Sequence, residues 1–331
     1  MNNYRWGILS TANIGRKAMI PALKNSQMAE VMAVASRDEQ KAKIFAKELG
    51  IPKVFGNYQA LLDDPEIDAI YNPLPNHLHK PWSIQAAEAG KHILCEKPLA
   101  LNTSECREMI AAAKANGVLL MESFMYRHHP RIQAAKESIQ SGAIGQLHTI
   151  ESAFTFKLDN PKDIRYQPEM GGGAVMDVGC YCINISRLFS GREPEAVQGR
   201  AAWASSGVDD QLTAILDFGN GLLAHFDCGL NQGRRQRCIA SGTEGFMVIR
   251  DAFVPGITKT FLHEVHGDES SKTSFKEVDE YRLVAEDFMN AIESGQLPYL
   301  PEDAVANMRV IQALLISAKQ HGKPIELSSI A

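Results

Sequence analysis

The 331-residue chain lacks the features of several specialised classes. No apolar run approaches the roughly 18 to 20 residues that span a bilayer, so no membrane association is expected. Charge is nearly balanced: 34 Lys and Arg stand against 39 Asp and Glu, a net of −5. Without a basic field, nucleic acid and anionic lipid are not expected partners. Cysteine is scarce. The six, Cys95, Cys106, Cys180, Cys182, Cys228 and Cys238, show no C-x-x-C spacing. In a chain this long, that reads as reduced thiols in a cytoplasmic protein. No leader is expected, since a strand-like run opens at Tyr4, and no repeat or low-complexity segment stands out.

What is present is ordinary globular text, 45% hydrophobic and 22% charged, long enough for two domains. The first third alternates strand and helix patterns. Strands are predicted at Tyr4–Leu9, Val31–Ser36, Lys53–Phe55, Ile67–Asn72, His92–Cys95 and Val118–Glu122. Helices are predicted over Ile14–Asn25, Glu39–Leu49, Tyr58–Asp63 and His77–Ala89, and from Asn102 to Asn116. This spacing implies right-handed crossovers and an α/β, doubly wound parallel sheet over residues 1–122. From 123 to 331 the text changes to successive strand-like runs, with Gly219-Asn220-Gly221 as a hairpin turn. That predicts an α+β domain with an open, mostly antiparallel sheet.

Chemistry enters where strands end. The first strand runs into Ser10-Thr11-Ala12-Asn13-Ile14-Gly15, with Ser10, Ala12 and Gly15 in the three places of the G-x-G-x-x-G dinucleotide fingerprint. Small residues there still permit a tight turn and close approach of a pyrophosphate to a helix amino end. The second strand ends at Ser36-Arg37, about 20 residues past Gly15. Ser36 carries no charge to repel a 2′-phosphate and Arg37 can pair with one, so NADP is expected rather than NAD, with Asp38 as the counter-argument. The fourth strand ends at Pro73-Leu74-Pro75-Asn76-His77-Leu78-His79, where Asn76 either caps a helix or faces the nicotinamide side of the cofactor. His77 and His79 lack the i, i+4 spacing of paired zinc ligands, and no metal site is expected. The fifth strand delivers Glu96-Lys97-Pro98 to the same carboxyl edge, where open parallel sheets bind ligands.

A second stretch, Gly171-Gly172-Gly173 through Asp177-Val178-Gly179 to Tyr181, reads as a flexible lead-in to a helix. Asp177 and Tyr181, four apart, share one helical face. Tyr181 also lies on the apolar stripe of Val178, Cys182, Ile185 and Phe189, and spacing alone favours a core tyrosine.

Taken together, Glu96-Lys97-Pro98, Pro75-Asn76-His77-Leu78-His79 and Gly171-Gly172-Gly173 with Asp177-x-Gly179 resemble the glucose–fructose oxidoreductase and inositol dehydrogenase (Gfo/Idh/MocA) family over nearly the whole chain. Most members carry histidine where this sequence has Tyr181. That departure, with the Ser-x-Ala-x-x-Gly loop and Ser36-Arg37, is similar to the dihydrodiol dehydrogenase and NADP-dependent xylose dehydrogenase branch. The resemblance implies hydride transfer between NADP and a sugar or vicinal diol, with Tyr181 as acid/base, Lys97 as its assistant and Asp177 as an orienting carboxylate. It implies a cis Lys97-Pro98 bond and a homodimer or larger homo-oligomer through the second sheet. Cofactor contacts are then expected from Ser10, Thr11, Ala12, Asn13, Ile14, Ser36, Arg37, Pro73, Leu74, Asn76, His79, Glu96, Lys97, Arg127 and Arg165. Glu122–Pro130 would wall the pocket, and Trp203 and Tyr281 line the substrate side or pack in the core.

The energetics allow it. Lowering a phenol by two to three pKa units needs roughly 3 to 4 kcal/mol. One ammonium at about 4 Å supplies on the order of 4 kcal/mol at an effective dielectric near 20. Two alternatives stand beside this reading: a reductase of keto-sugars or dicarbonyl compounds, and a catalytically silent NADP sensor, which would need neither Lys97 nor Tyr181.

Overall fold

The computed structural model describes residues 3–330, and their contacts divide the chain into two compact units. The first runs to Met125 and takes in Asp279–Val305; the second comprises Tyr126–Val278 and the segment from Ala306 onward.

In the first unit, six strands form one parallel sheet: β1 (Tyr4–Leu9), β2 (Ala29–Ala35), β3 (Lys53–Phe55), β4 (Ala69–Asn72), β5 (His92–Cys95) and β6 (Leu120–Glu122). Their order is β3-β2-β1-β4-β5-β6, the doubly wound arrangement the alternation predicts. The chain reverses direction across the sheet between β1 and β4, so the loops after those strands, and after the neighbouring β5, share one carboxyl edge. Helices α1 (Ile20–Lys24), α2 (Glu39–Leu49), α3 (Tyr58–Leu62), α4 (His79–Glu88) and α5 (Thr103–Ala115) make the crossovers. Side chains fix several starts. Asp38, Asn57 and Asn102 accept the N–H groups of Lys41, Ala60 and Glu105. The first helix departs from a plain α-helix: Gly15–Met19 forms a wide π turn before α1. Pro21 sits in the first turn of α1 and has no N–H to continue an i to i−4 ladder, which fits the irregularity just before it.

In the second unit, α6 (Pro130–Gln140) precedes β7 (Leu147–Lys157), a wide turn over Val175–Gly179 and α7 (Cys180–Ser190). The strands β8 (Ala196–Trp203), β9 (Asp209–Asp217), β10 (Leu223–Gly229), β11 (Asn231–Gly242), β12 (Phe246–Arg250), β13 (Thr260–His266) and β14 (Glu269–Phe275) follow. After α8 (Glu280–Ser294) and α9 (Glu302–Lys319), a short β15 (Ile325–Glu326) closes a nine-stranded sheet. Its order is β14-β13-β12-β11-β7-β10-β9-β8-β15, antiparallel except where β7 meets β10. The Gly219-Asn220-Gly221 turn joins β9 to β10 with all three residues at positive φ, 72°, 52° and 80°. Strands β13 and β14 have no counterpart in the sequence reading. β14, Glu-Ser-Ser-Lys-Thr-Ser-Phe, is an exposed edge strand and shows no apolar alternation.

The late helix α8 belongs with the first unit. Its apolar stripe, Val284, Ala285, Phe288 and Ala291, is buried, and Phe288 lies 5.9 Å from the fully buried Trp6 of β1.

Candidate active site

The chemistry-bearing residues form two groups, one in each unit. In the first unit, the loop Ser10–Ile14 leaves β1 through a sharp reversal. Ser10 has φ +87°, a conformation glycine adopts freely and serine rarely does. Its Oγ accepts the Ala12 N–H at 3.2 Å, holding the turn that the fingerprint's first glycine would otherwise permit. Thr11, Ala12 and Ile14 are half-buried and Asn13 is exposed.

At the end of β2, Ser36 is buried and its Oγ accepts the Asp38 N–H at 3.2 Å. Arg37 is exposed. Asp38 spends its carboxylate on the amino end of α2, through the Lys41 N–H at 3.1 Å. That turns the carboxylate toward the helix start, although its charge remains next to Arg37.

At the end of β4, Pro73 and Leu74 are buried and Asn76 is half-buried. Helix α4 begins at His79, directly after the short helical turn Asn76–Leu78. Asn72, which sequence reasoning passed over, is fully buried and ties the loop together. It donates to Ser83 Oγ at 3.1 Å and accepts the Leu74 N–H at 3.3 Å. His79, expected against a cofactor, sits inside the loop packing. It is fully buried, with Nδ1 3.0 Å from the Pro98 carbonyl and Nε2 2.7 Å from the Leu74 carbonyl. Burial pushes its pKa down to about 4, against the opposing pull of those carbonyls. The ring lies between the loop after β4 and the turn after β5, and as a neutral imidazole it donates its single N–H to one of the two carbonyls.

That turn carries Glu96 and Lys97, and the Lys97-Pro98 bond is cis, as the resemblance implies. Glu96 is pushed above the usual carboxylate range by burial, opposed by the Lys97 charge; Tyr71 also donates to it at 2.6 Å. Glu122 accepts the Leu99 N–H at 2.7 Å, and its backbone carbonyl accepts the Tyr299 hydroxyl at 2.6 Å. Burial and then the Glu96 charge push the Tyr281 phenol up. A cavity of about 620 Å³ lies instead at the amino edge of the sheet, bounded by Arg5, Asp68, Lys91 and His92. Its cations are already spent: Arg5 pairs with Asp68 at 2.8 Å, and Lys91 donates to the Asp64 and Ile67 carbonyls, both at 2.8 Å. It is not a natural anion site.

In the second unit, Asp177 lies on the wide turn and Tyr181 in the first turn of α7. Tyr181 is 4% exposed, inside an aromatic cluster. Its ring centroid lies 5.9 Å from Tyr126, 5.3 Å from Phe154 and 5.5 Å from Phe253, all tilted. Tyr126 is itself fixed by donating to Asn184 Oδ1 at 2.6 Å. The buried Arg131 donates to the carbonyls of Arg250 (2.8 Å) and Asp251 (2.9 Å), holding the loop that presents Phe253. Arg127 is half-buried on the turn Met125–His128.

Asp177 is held by Arg165, Nε to Oδ2 at 2.7 Å, while the same guanidinium reaches Asp163 at 3.2 Å. The carboxylates raise the Arg165 pKa further, Asp177 most of all. Arg165 is thus committed to orienting Asp177. The glycines before it are not the flexible lead-in expected. A Cβ on Gly172 would lie 2.5 Å from the Arg165 carbonyl oxygen, and one on Gly173, at φ +120°, 2.2 Å from Asp209 Oδ1. They are glycines because the backbone is pinned close to its neighbours. Gly179 is likewise required, since a Cβ would lie 2.9 Å from both Cys228 Sγ and Val175 Cγ2. Trp203, on β8, is 41% exposed and does not pack in the core.

Comparison with known proteins bears on both groups. Residues 4–124 match the oxidoreductase family with an NAD-binding Rossmann fold, and 132–248 match the GFO/IDH/MocA C-terminal domain. D-xylose 1-dehydrogenase (NADP(+)) 2 of Haloferax volcanii is 38% identical over 326 residues, 97% of this chain and 99% of that protein. Mouse trans-1,2-dihydrobenzene-1,2-diol dehydrogenase is 33% identical over 76% of each chain. The crystal structure of a 3-ketoreductase from Actinomadura kijaniata, in complex with NADP and TDP-benzene, superimposes with a TM-score of 0.90 at 31% identity, covering 96% of this chain and 98% of that one. Matches to both domain families, together with relatives aligned almost end to end, make this chain a member of the Gfo/Idh/MocA oxidoreductase family.

Proposed function

We propose that the protein is an NADP-dependent dehydrogenase that moves hydride between nicotinamide and a sugar or vicinal diol. The observation that carries this reading is Lys97 on the turn after β5, at the carboxyl edge beside the strand-order reversal of a six-stranded parallel sheet. The loop after β1 suits a pyrophosphate, and exposed Arg37 beside uncharged Ser36 suits a 2′-phosphate. The bound nicotinamide supplies the hydride acceptor or donor. This chain's residues handle the proton and the alkoxide charge. In this reading Tyr181 takes the hydroxyl proton as the alcohol is oxidised and returns it in the reverse direction. The Lys97 ammonium assists by stabilising charge developing on the substrate oxygen. Asp177, held by Arg165, orients the substrate or the phenol. The relatives' names support the cofactor and the substrate class.

A second reading, reduction of a keto-sugar, is favoured by the likeness to the 3-ketoreductase and uses the same residues in reverse. An absorbance screen at 340 nm separates them. NADP and NAD would be tested with aldoses, polyols and dihydrodiols, and NADPH with keto-sugars and dicarbonyls. Faster turnover of alcohols with NADP supports the dehydrogenase; turnover only with NADPH and ketones supports the reductase. Cofactor binding without turnover on the whole panel would favour a silent sensor.

The outer face of the second sheet carries Ile215, 47% exposed, and Leu223, 45% exposed, on the adjacent strands β9 and β10. We propose that this face joins copies of the chain into a homodimer or larger homo-oligomer. Ile215→Asp should then lower the mass measured by light scattering. The six free, buried cysteines suit a reducing compartment, and the cytoplasm is the proposed location.

A further inference from the structure

Asp209 opens β9, is 2% exposed, and lies 34 residues from the group it binds. Its Oδ2 accepts the Val175 N–H at 2.7 Å, and its carboxylate also faces the Ala174 N–H. These are donors at the start of the helical segment that carries Asp177 and Tyr181. The preceding residue closes on it too: the missing Cβ of Gly173 would fall 2.2 Å from Oδ1. From the other side, Arg165 accepts the Gly173 N–H through its carbonyl at 2.9 Å and grips Asp177 through its guanidinium at 2.7 Å. The helix start is therefore clamped between the sheet, through Asp209, and the loop 163–173, through Arg165.

We propose that Asp209 is a positioning residue for the reaction, setting the placement of Asp177 and Tyr181 through the start of their helix. The inference rests on the catalytic reading of Tyr181 given above. Its physical basis is leverage. Tyr181 lies six residues beyond Val175, about 9 Å along a helix at roughly 1.5 Å per residue. A tilt or slip at the start is carried to the phenol by the rigid backbone between. Displacement of a reacting group by about 1 Å can cost on the order of 100-fold in rate. The carboxylate suits the task. Burial pushes its pKa up to about 7 while the helix-start N–H groups pull it down, so an appreciable ionised fraction remains at neutral pH to bind those donors. Asparagine would keep the shape but lose the charge, and would turn an amide N–H₂ toward backbone donors. Alanine would keep neither.

The test is turnover by the intact enzyme, expressed per NADPH-binding molecule as counted by NADPH fluorescence. Asp209→Asn should lower kcat about tenfold with NADPH affinity unchanged, and Asp209→Ala should lower it further wherever it folds. A merely structural role would lower Tm in both variants and leave kcat per folded molecule at the wild-type value. Asp209→Asn with kcat within twofold of wild type overturns the inference, whatever Asp209→Ala does. Tyr181→Phe run in parallel keeps the two claims apart. If it turns over normally, the catalytic reading fails; if it is inactive while Asp209→Asn is normal, only the positioning role fails.

Discussion

The two units present their chemistry in opposite ways. In the first, each candidate residue follows a strand directly: Ser10 after β1, Ser36 and Arg37 after β2, Pro73 and Asn76 after β4, Lys97 after β5. Parallel strands bring those ends to one edge by topology alone, so distant segments converge without individual contacts to arrange them. In the second, Asp177 and Tyr181 depend on groups far along the chain: Asp209 at the helix start, Phe253 on a loop held by Arg131, and Tyr126, itself held by Asn184. A strand end is a position that sequence periodicity can mark. A clamp made from a second strand is not.

This contrast is open to direct attack. The largest effect should come from Tyr181→Phe, which removes the hydroxyl and keeps the ring in its aromatic cluster. Loss of acid/base catalysis should cut kcat by about 1,000-fold, within the usual range for such groups, while NADPH binding stays intact. Equal loss of binding and turnover would mean the phenol belongs to the cofactor site instead. Arg165→Met should follow, with kcat/KM down roughly 30- to 100-fold as Asp177 loses its partner. Arg165→Lys should recover only part of this, because an ammonium cannot reproduce the planar guanidinium geometry. In the first unit, Arg37→Ala should weaken NADP binding roughly 10- to 100-fold, the worth of one charge-assisted phosphate contact, and leave NAD affinity within about threefold. Calorimetric titration with both cofactors measures it. Equal weakening of both would place Arg37 against the adenine rather than the phosphate.

The smallest effect concerns pH and stability, where the units again differ. His79, in the first unit, has a folded pKa near 4, below its unfolded value of 6.5, so the unfolded chain binds more protons between those values. Its contribution is complete above pH 6.5 and is lost as pH falls toward 4. Asp209, in the second, has a folded pKa near 7, above its unfolded value of 3.8, so the folded chain holds the extra proton. Stability from this group is present below pH 4 and fades as pH rises to 7. Asp209→Asn should therefore gain Tm relative to wild type, by a few degrees, on going from pH 4.5 to 7.5. His79→Gln should lose less than wild type on acidification. Parallel Tm curves for variant and wild type would contradict both assignments.

Much of the first unit was legible because its signals are local. Apolar runs stopped by Pro73 or Pro98, helices closed by Gly50, and the Asn102 cap all act within a few residues. Where reading failed there, packing decided. His79 looks like a loop histidine in the sequence, and only the fold shows its ring lying between two carbonyls. Helix α8 reads as amphipathic, but nothing in the text says that Phe288 meets Trp6, 282 residues earlier. In the second unit, the face shared by Asp177 and Tyr181 was visible at helical spacing. The purpose of Gly172 and Gly173 was not, since it depends on Arg165 and Asp209 pressing against their missing side chains. Asp209 itself resembles any acidic residue at the end of a turn.

In the proposed chemistry the Tyr181 phenol and the Lys97 ammonium act on one substrate oxygen. A crystal structure with NADP and a bound substrate or product tests it most directly. Tyr181 Oη and Lys97 Nζ should each lie within hydrogen-bond reach of the reacting oxygen, about 2.6 to 3.2 Å or through one water. Either group lying beyond that reach, with the substrate carbon seated against the nicotinamide, would contradict it.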